Sequence, residues 1–190
     1  MKIDVYKRQQ EAMPTDVSIM ATSKWYYLSA TFPVNVQKNG YYCGPATVQN
    51  VVKFHTGETY TQDYCANKLG TTTAGTDMTK IAPVLKNMTG KNYVMSSIEN
   101  ETLWKRRVAN NVIDSKMAVV LDINSKNNSS WPYQTSGHYI PIYACYGSTT
   151  TSCTKVKIAD SHPNYNYKWE VSASLAYQVN NAHSRKSMIW

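Results

Sequence analysis

Gln37-Lys38-Asn39-Gly40-Tyr41-Tyr42-Cys43-Gly44-Pro45-Ala46, running straight into the helical segment Thr47 to His55, decides how this chain is read. Pro45 suits the first turn of a helix, where its missing N–H costs nothing. Ala46, Val48, Val51, Val52 and His55 then cover one broad face, and Gly57 ends the run. Cys43 therefore stands at the mouth of a helix, where unpaired N–H groups and the positive end of the dipole favour a thiolate. Gln37 precedes it on a turn containing Asn39 and Gly40. Folded back, its carboxamide would sit beside the Cys43 backbone N–H, so that two donors converge on one oxyanion.

A thiolate nucleophile needs a base and a group to orient that base, and both need only be near in space. Gly137-His138-Tyr139-Ile140-Pro141-Ile142-Tyr143 puts a histidine at the head of an apolar strand, and Val156-Lys157-Ile158-Ala159-Asp160 puts an aspartate at the foot of the next. Paired through a turn over Gly147 to Ser152, these strands would bring His138 and Asp160 to one edge of a sheet. That is the geometry a Cys-His-Asp triad requires.

The order Gln, Cys-Gly-Pro, Gly-His strand, strand ending in Asp resembles the bacteriocin-processing (double-glycine leader) peptidases and their stand-alone relatives, within the papain-like cysteine peptidases. The resemblance runs over roughly Trp25 to Trp190. It implies an α+β, papain-like fold with N-terminal helices packed on a C-terminal antiparallel sheet. By position, it implies Gln37 in the oxyanion hole, Cys43 as nucleophile, His138 as base and Asp160 as its orienter. The Cys-Gly-[Ser/Ala]-Cys-[Trp/Tyr] signature of papain itself is absent, which favours the double-glycine branch. Asp160 is followed by Ser161-His162-Pro163, where relatives have Pro directly. The resemblance also suggests peptide substrates with small residues before the scissile bond. The chain contains no Gly-x-x-x-x-Gly-Lys-[Ser/Thr] nucleotide loop, so it is expected to act without a transporter in the same polypeptide.

At 190 residues the chain suits one domain with a sizeable core. Residues 1–22 read as a flexible lead and 23–190 as the domain. Part of the lead is artefactual in character, since DVYKRQ looks like translated adapter sequence, and no secretory signal is visible in it. No run approaches the ~18 apolar residues of a membrane span. Lys and Arg number 20 against 12 Asp and Glu, a net charge of +8, which points to an anionic surface such as a cell wall as a partner. The densest cluster, Lys105-Arg106-Arg107, reads as a solvated helix face rather than a nucleic-acid site. Fifteen Tyr against two Phe suits aromatics that keep one wet end, which leans toward a secreted or cell-surface location.

The four cysteines include no Cys-x-x-Cys, and no His-Glu-x-x-His accompanies them, which argues against zinc; no cofactor is implied. Cys145 and Cys153 flank the hairpin turn and are expected to form a cross-strand disulfide. Cys65 reads as a small buried residue.

Elsewhere the pattern predicts a strand over Trp25 to Ala30, a Thr61-capped helix to Leu69, and a helix from Thr76 or Asp77 to Met88. A short strand at Tyr93 to Ser96 and a helix over Glu101 to Ser115 follow, then a buried strand over Met117 to Ile123. The polar loop Asn124 to Ser136 is expected to rim a cleft, which makes Trp131 and Tyr133 candidates for substrate contact. Tyr165 to Val171, a helix over Ser172 to Asn180 and a strand over Lys186 to Trp190 complete the chain.

The sequence supports a cysteine peptidase first. A peptidoglycan amidase or endopeptidase needs the same triad. A non-catalytic, basic wall- or nucleic-acid-binding module is the alternative from another class. Against it stands the joint occurrence of Gln37, Cys43, His138 and Asp160 in workable order.

Overall fold

A computed structural model describes residues 22–148, 153–165 and 167–190. The lead assigned to residues 1–22 thus lies almost wholly outside the described residues, as do positions 149–152 of the hairpin turn.

The fold is organised on one long strand, β4 (His138–Gly147), whose residues are almost all buried. It pairs antiparallel with β3 (Val119–Ile123) on one edge and β5 (Lys155–Ala159) on the other. Beyond the end of β3, β1 (Lys24–Tyr27) takes over pairing with the far half of β4, from Lys24 opposite Gly147 to Tyr27 opposite Ala144. With β2 (Met95–Ser97), β6 (Lys168–Ser172) and β7 (Ser187–Ile189), the described residues form a seven-stranded antiparallel sheet in the order β2-β7-β3-β4-β5-β6.

The side-chain period of two sends β4 to two different cores. Ile140, Ile142 and Cys145 join one, while Tyr139, Tyr143 and Ala144 join the other. The register between β4 and β5 shifts between Ile142 and Ala144, which inserts an extra residue and explains why the consecutive residues Tyr143 and Ala144 join the same core. The helices α1 (Cys43–Thr56), α2 (Gln62–Leu69) and α3 (Met78–Thr89) cover the Tyr139 face, through Val48, Val51, Leu69, Ile81 and Leu85. The opposite face is covered by α4 (Glu101–Asn110) and α5 (Ala173–Asn181), through Trp104, Val108, Ala176 and Val179. The expected layer of N-terminal helices on a C-terminal sheet is therefore one of two helical layers. A strand such as β3, apolar at nearly every position, needs cover on both sides.

Local signals hold at most boundaries. Thr61 accepts the Tyr64 N–H, Asp77 the Thr79 N–H, Asn100 the Leu103 N–H and Ser172 the Leu175 N–H, and left-handed glycines 57, 70 and 90 stop α1, α2 and α3. The helix expected to run to Ser115 keeps α-geometry only to Asn110 and widens into a π turn over Asn111–Ser115, closed by Lys116 at φ 53°. Cys65 is buried as expected, and His55 is structural, bonded to the Tyr93 hydroxyl at 2.8 Å. No helix among the described residues is long and apolar enough to cross a membrane.

Cys145 and Cys153 are both buried beside Val156 in the Ile140–Ile142 core, and both are free thiols in the structure. They are nonetheless neighbours: a hydrogen bond from Cys145, together with burial, pushes the Cys153 thiol well above its ordinary range.

Candidate active site

Three elements deliver the site. Helix α1 begins at Cys43 itself, and the helix has no side-chain cap at Tyr42, so its first N–H groups are left free of side-chain partners. Strand β4 begins at His138, and Asp160 is the first residue after β5. Thr47, one turn into α1, donates its hydroxyl to the Tyr139 carbonyl at 2.9 Å and so pins the helix to the strand beside His138.

His138 is 3 % exposed, and its Nε2 lies 2.8 Å from Asp160 Oδ1. Cys43 is within hydrogen-bonding reach of the same ring. Burial alone would depress the imidazolium. The hydrogen bonds to Asp160 and Cys43 outweigh it and hold the His138 pKa well above its ordinary value. Asp160 is fully buried yet remains a better acid than usual: desolvation raises its pKa, but His138, the Tyr133 hydroxyl and the His162 N–H together lower it further. The Tyr133 hydroxyl donates to Oδ2 at 2.7 Å and the His162 N–H to Oδ1 at 2.9 Å. Each oxygen of a buried carboxylate is thus provided with donors, the condition under which it can stay ionised without water.

Gln37 is brought to the same place from the other direction. Its backbone N–H bonds to the Ser161 carbonyl at 2.8 Å, next door to Asp160. Its Nε2 gives one proton to the Asn39 carbonyl at 2.8 Å, within the turn that leads to Cys43, which leaves the second proton uncommitted. Asn50 of α1 accepts from both the backbone and the side chain of Asn35, at 3.1 and 2.7 Å, holding the segment before Gln37 against the helix.

Gly44 has a structural duty. A Cβ there would stand 2.3 Å from Thr76 Oγ1, so only glycine lets the Thr71 to Thr76 loop close over the start of α1. Thr71 and Thr76 share a 2.8 Å hydroxyl contact that holds this loop. With Gly40, Tyr41 and Gly137 it walls a cavity of about 300 Å³ that opens onto Cys43.

Of the four residues expected in the chemistry, Cys43, His138 and Asp160 are in mutual contact, and Gln37 is tied beside Asp160 through Ser161 with its carboxamide on the Asn39 carbonyl. Trp131 and Tyr133, expected on the rim as substrate contacts, do not line this cavity. Trp131 is 2 % exposed, edge-on to Trp169 in the core, and Tyr133 is 9 % exposed with its hydroxyl on Asp160. The loop is drawn inward by its own hydrogen bonds: Ser125 Oγ donates to the Tyr133 carbonyl at 2.6 Å, and the Ser125 N–H to the Thr135 carbonyl at 2.9 Å. Sequence reasoning missed Asp122, His183 and Arg185, which share the cavity with Cys43. Nothing local distinguishes them; β3 and the segment after α5 meet only in the folded chain.

A thiol, an imidazole and a buried carboxylate in contact at a helix start, with helices packed on a seven-stranded antiparallel sheet, match the α+β fold of papain-type peptidase domains. The Peptidase_C39 like family matches residues 29–184, and the chain belongs to it. Among solved structures, it is similar to the peptidase domain of Streptococcus ComA, a bi-functional ABC transporter involved in a quorum sensing pathway. That match has 17% identity and a TM-score of 0.55, covering 84% of this chain and 96% of that one. It is also similar to a double glycine motif protease from an AMS/PCAT transporter solved in complex with the leader peptide, at 10% identity and a TM-score of 0.52, covering 83% and 88%. Among curated proteins, none matches by sequence.

Proposed function

We propose that the protein is a cysteine peptidase that hydrolyses extended peptides, with Cys43 as nucleophile, His138 as general base and acid, Asp160 as orienter and Gln37 in the oxyanion hole. The observation that carries this reading is the continuous contact from Cys43 through the His138 ring to Asp160, 2.8 Å from Nε2. The raised His138 pKa favours transfer of the thiol proton to the ring, so that the reacting state is an ion pair. The sulfur attacks the carbonyl carbon and a C–S bond forms. Negative charge gathers on the oxygen, where the free Nε2 proton of Gln37 and the Cys43 N–H stabilise it. His138 then protonates the leaving amine as the C–N bond breaks, leaving an acyl-enzyme. Water, deprotonated by His138, attacks the acyl carbon and releases the acid and the thiolate. Asp160 keeps the ring in one orientation and balances its charge throughout.

The purified chain should cleave a peptide library without ATP, and both Cys43→Ala and His138→Ala should abolish the cleavage. Iodoacetamide near neutral pH should modify Cys43 before Cys65, Cys145 or Cys153, which are all buried. Muropeptides assayed beside the peptides separate a wall hydrolase from a peptidase. Cleavage that survives Cys43→Ala would remove Cys43 from the mechanism.

A further inference from the structure

The cavity beside Cys43 has a floor that peptide-bond hydrolysis itself does not use. Asp122 lies in the middle of β3, is 3 % exposed, and lines the cavity together with His183, Arg185 and Gly137. Its Oδ2 lies 3.4 Å from His183 Nδ1, long for a charge-assisted contact, and that nitrogen already accepts the Arg185 backbone N–H at 3.3 Å. With its Nδ1 lone pair engaged, neutral His183 carries its proton on Nε2. The other nearby donor, the Tyr139 hydroxyl, sits beside the carboxylate but gives its proton to the Thr76 carbonyl at 2.9 Å.

Asp122 Oδ1 turns toward Gly137. A Cβ at Gly137 would lie 3.9 Å from Oδ1 and 3.6 Å from His183 Nε2, so the missing side chain is what leaves this corner open. Asp122 is thus a buried carboxylate lining an open cavity, with the Tyr139 hydroxyl and the His183 ring beside it and room left for a cationic partner. Arg185 is not that partner: its guanidinium bonds Asp77 at 2.6 Å on the α3 cap, at the rim. With Arg185 committed to Asp77, Asp122 is the carboxylate that lines the cavity.

We propose that this cavity is a specificity subsite for a basic substrate side chain, lysine or arginine, whose cationic head pairs with Asp122 when the neighbouring peptide bond reaches Cys43. This rests on the peptidase reading and sharpens it: a substrate with only glycine at that position would leave the cavity and its carboxylate unfilled. The His183 ring stands beside the carboxylate, and Gly137 supplies the room.

The test uses the full chain and peptides carrying one lysine at each position in turn, each paired with its acetyl-lysine counterpart. Cleavage is followed in the wild type, and binding by fluorescence anisotropy in a Cys43→Ala background. At one position near the scissile bond, lysine should exceed acetyl-lysine by about tenfold or more in kcat/KM and in affinity. Asp122→Asn should bring that ratio to within about twofold, as should Gly137→Val, which fills the corner and leaves the carboxylate itself in place. Alkylation of Cys43 and a cooperative melt establish that each variant is folded. Equal treatment of lysine and acetyl-lysine at every position, by a protein that cuts peptides, overturns the subsite and leaves the peptidase reading standing. A preference for a neutral carboxamide side chain overturns it too. Asp122-dependent binding of lysine peptides without any cleavage upholds the subsite and sinks the peptidase reading instead.

Discussion

Replacing Tyr133 by phenylalanine deletes one oxygen and leaves the ring in place. The ring stacks on His162 at 4.6 Å and packs on Tyr165 at 4.8 Å, and phenylalanine keeps both contacts. What is lost is the 2.7 Å donor to Asp160 Oδ2, at a carboxylate that is fully buried. A hydrogen bond to a buried charge contributes roughly 1.5–3 kcal/mol, and for a chain of this size each kcal/mol moves Tm by about 2–4 °C. The variant should therefore melt roughly 4–8 °C lower at neutral pH, taking about 2 kcal/mol as the loss. The pH dependence separates this cause from general damage. The Asp160 pKa is held below its ordinary value in the fold, so its contribution is present above the unfolded pKa near ~3.9 and is lost as pH falls through the folded value. Without the Tyr133 hydroxyl the folded pKa rises, so the gap between wild type and variant should be full at neutral pH and close in acid, where both carboxyls are protonated. Melts followed by circular dichroism between pH 7 and about pH 3 measure it. A constant gap across that range, or no gap at pH 7, would refute the account of Asp160 as an ion sustained by this donor.

Gly44→Ala drives a methyl group to within 2.3 Å of Thr76 Oγ1, and overpacking of this kind costs roughly 1–3 kcal/mol. It should also lower peptide turnover, because the displaced loop walls the cavity, and a variant with wild-type melting and turnover would show the contact to be soft. Gln37→Ala should reduce kcat by about 10²-fold with little change in KM; unchanged kcat removes Gln37 from the oxyanion hole. Cys145 and Cys153 should be found bridged in protein made under oxidising conditions, by non-reducing peptide mapping. Two free thiols in such protein would dispose of that expectation.

Much of the candidate site is legible in the order of residues because its parts are local. A cysteine before Pro45 and an amphipathic run can only sit at a helix start, and the glycines that stop α1 to α3 declare themselves by position. His138 and Asp160 stand at the head and foot of two apolar strands separated by a short turn, so antiparallel pairing alone brings them to one edge. Tertiary structure decided the rest, since it depends on which faces meet. A polar loop with Trp131 and Tyr133 reads the same whether it rims a cleft or folds beneath one, and Ser125 together with the Asp160 carboxylate drew it under. Asp122, inside a run otherwise apolar, carries no sign of what it faces until α5 and the following loop return His183 and Arg185 to the same cavity. Residues that act through neighbours in the chain can be read from the chain. Those that act across it, between β3 and a segment some sixty positions later, are set by packing.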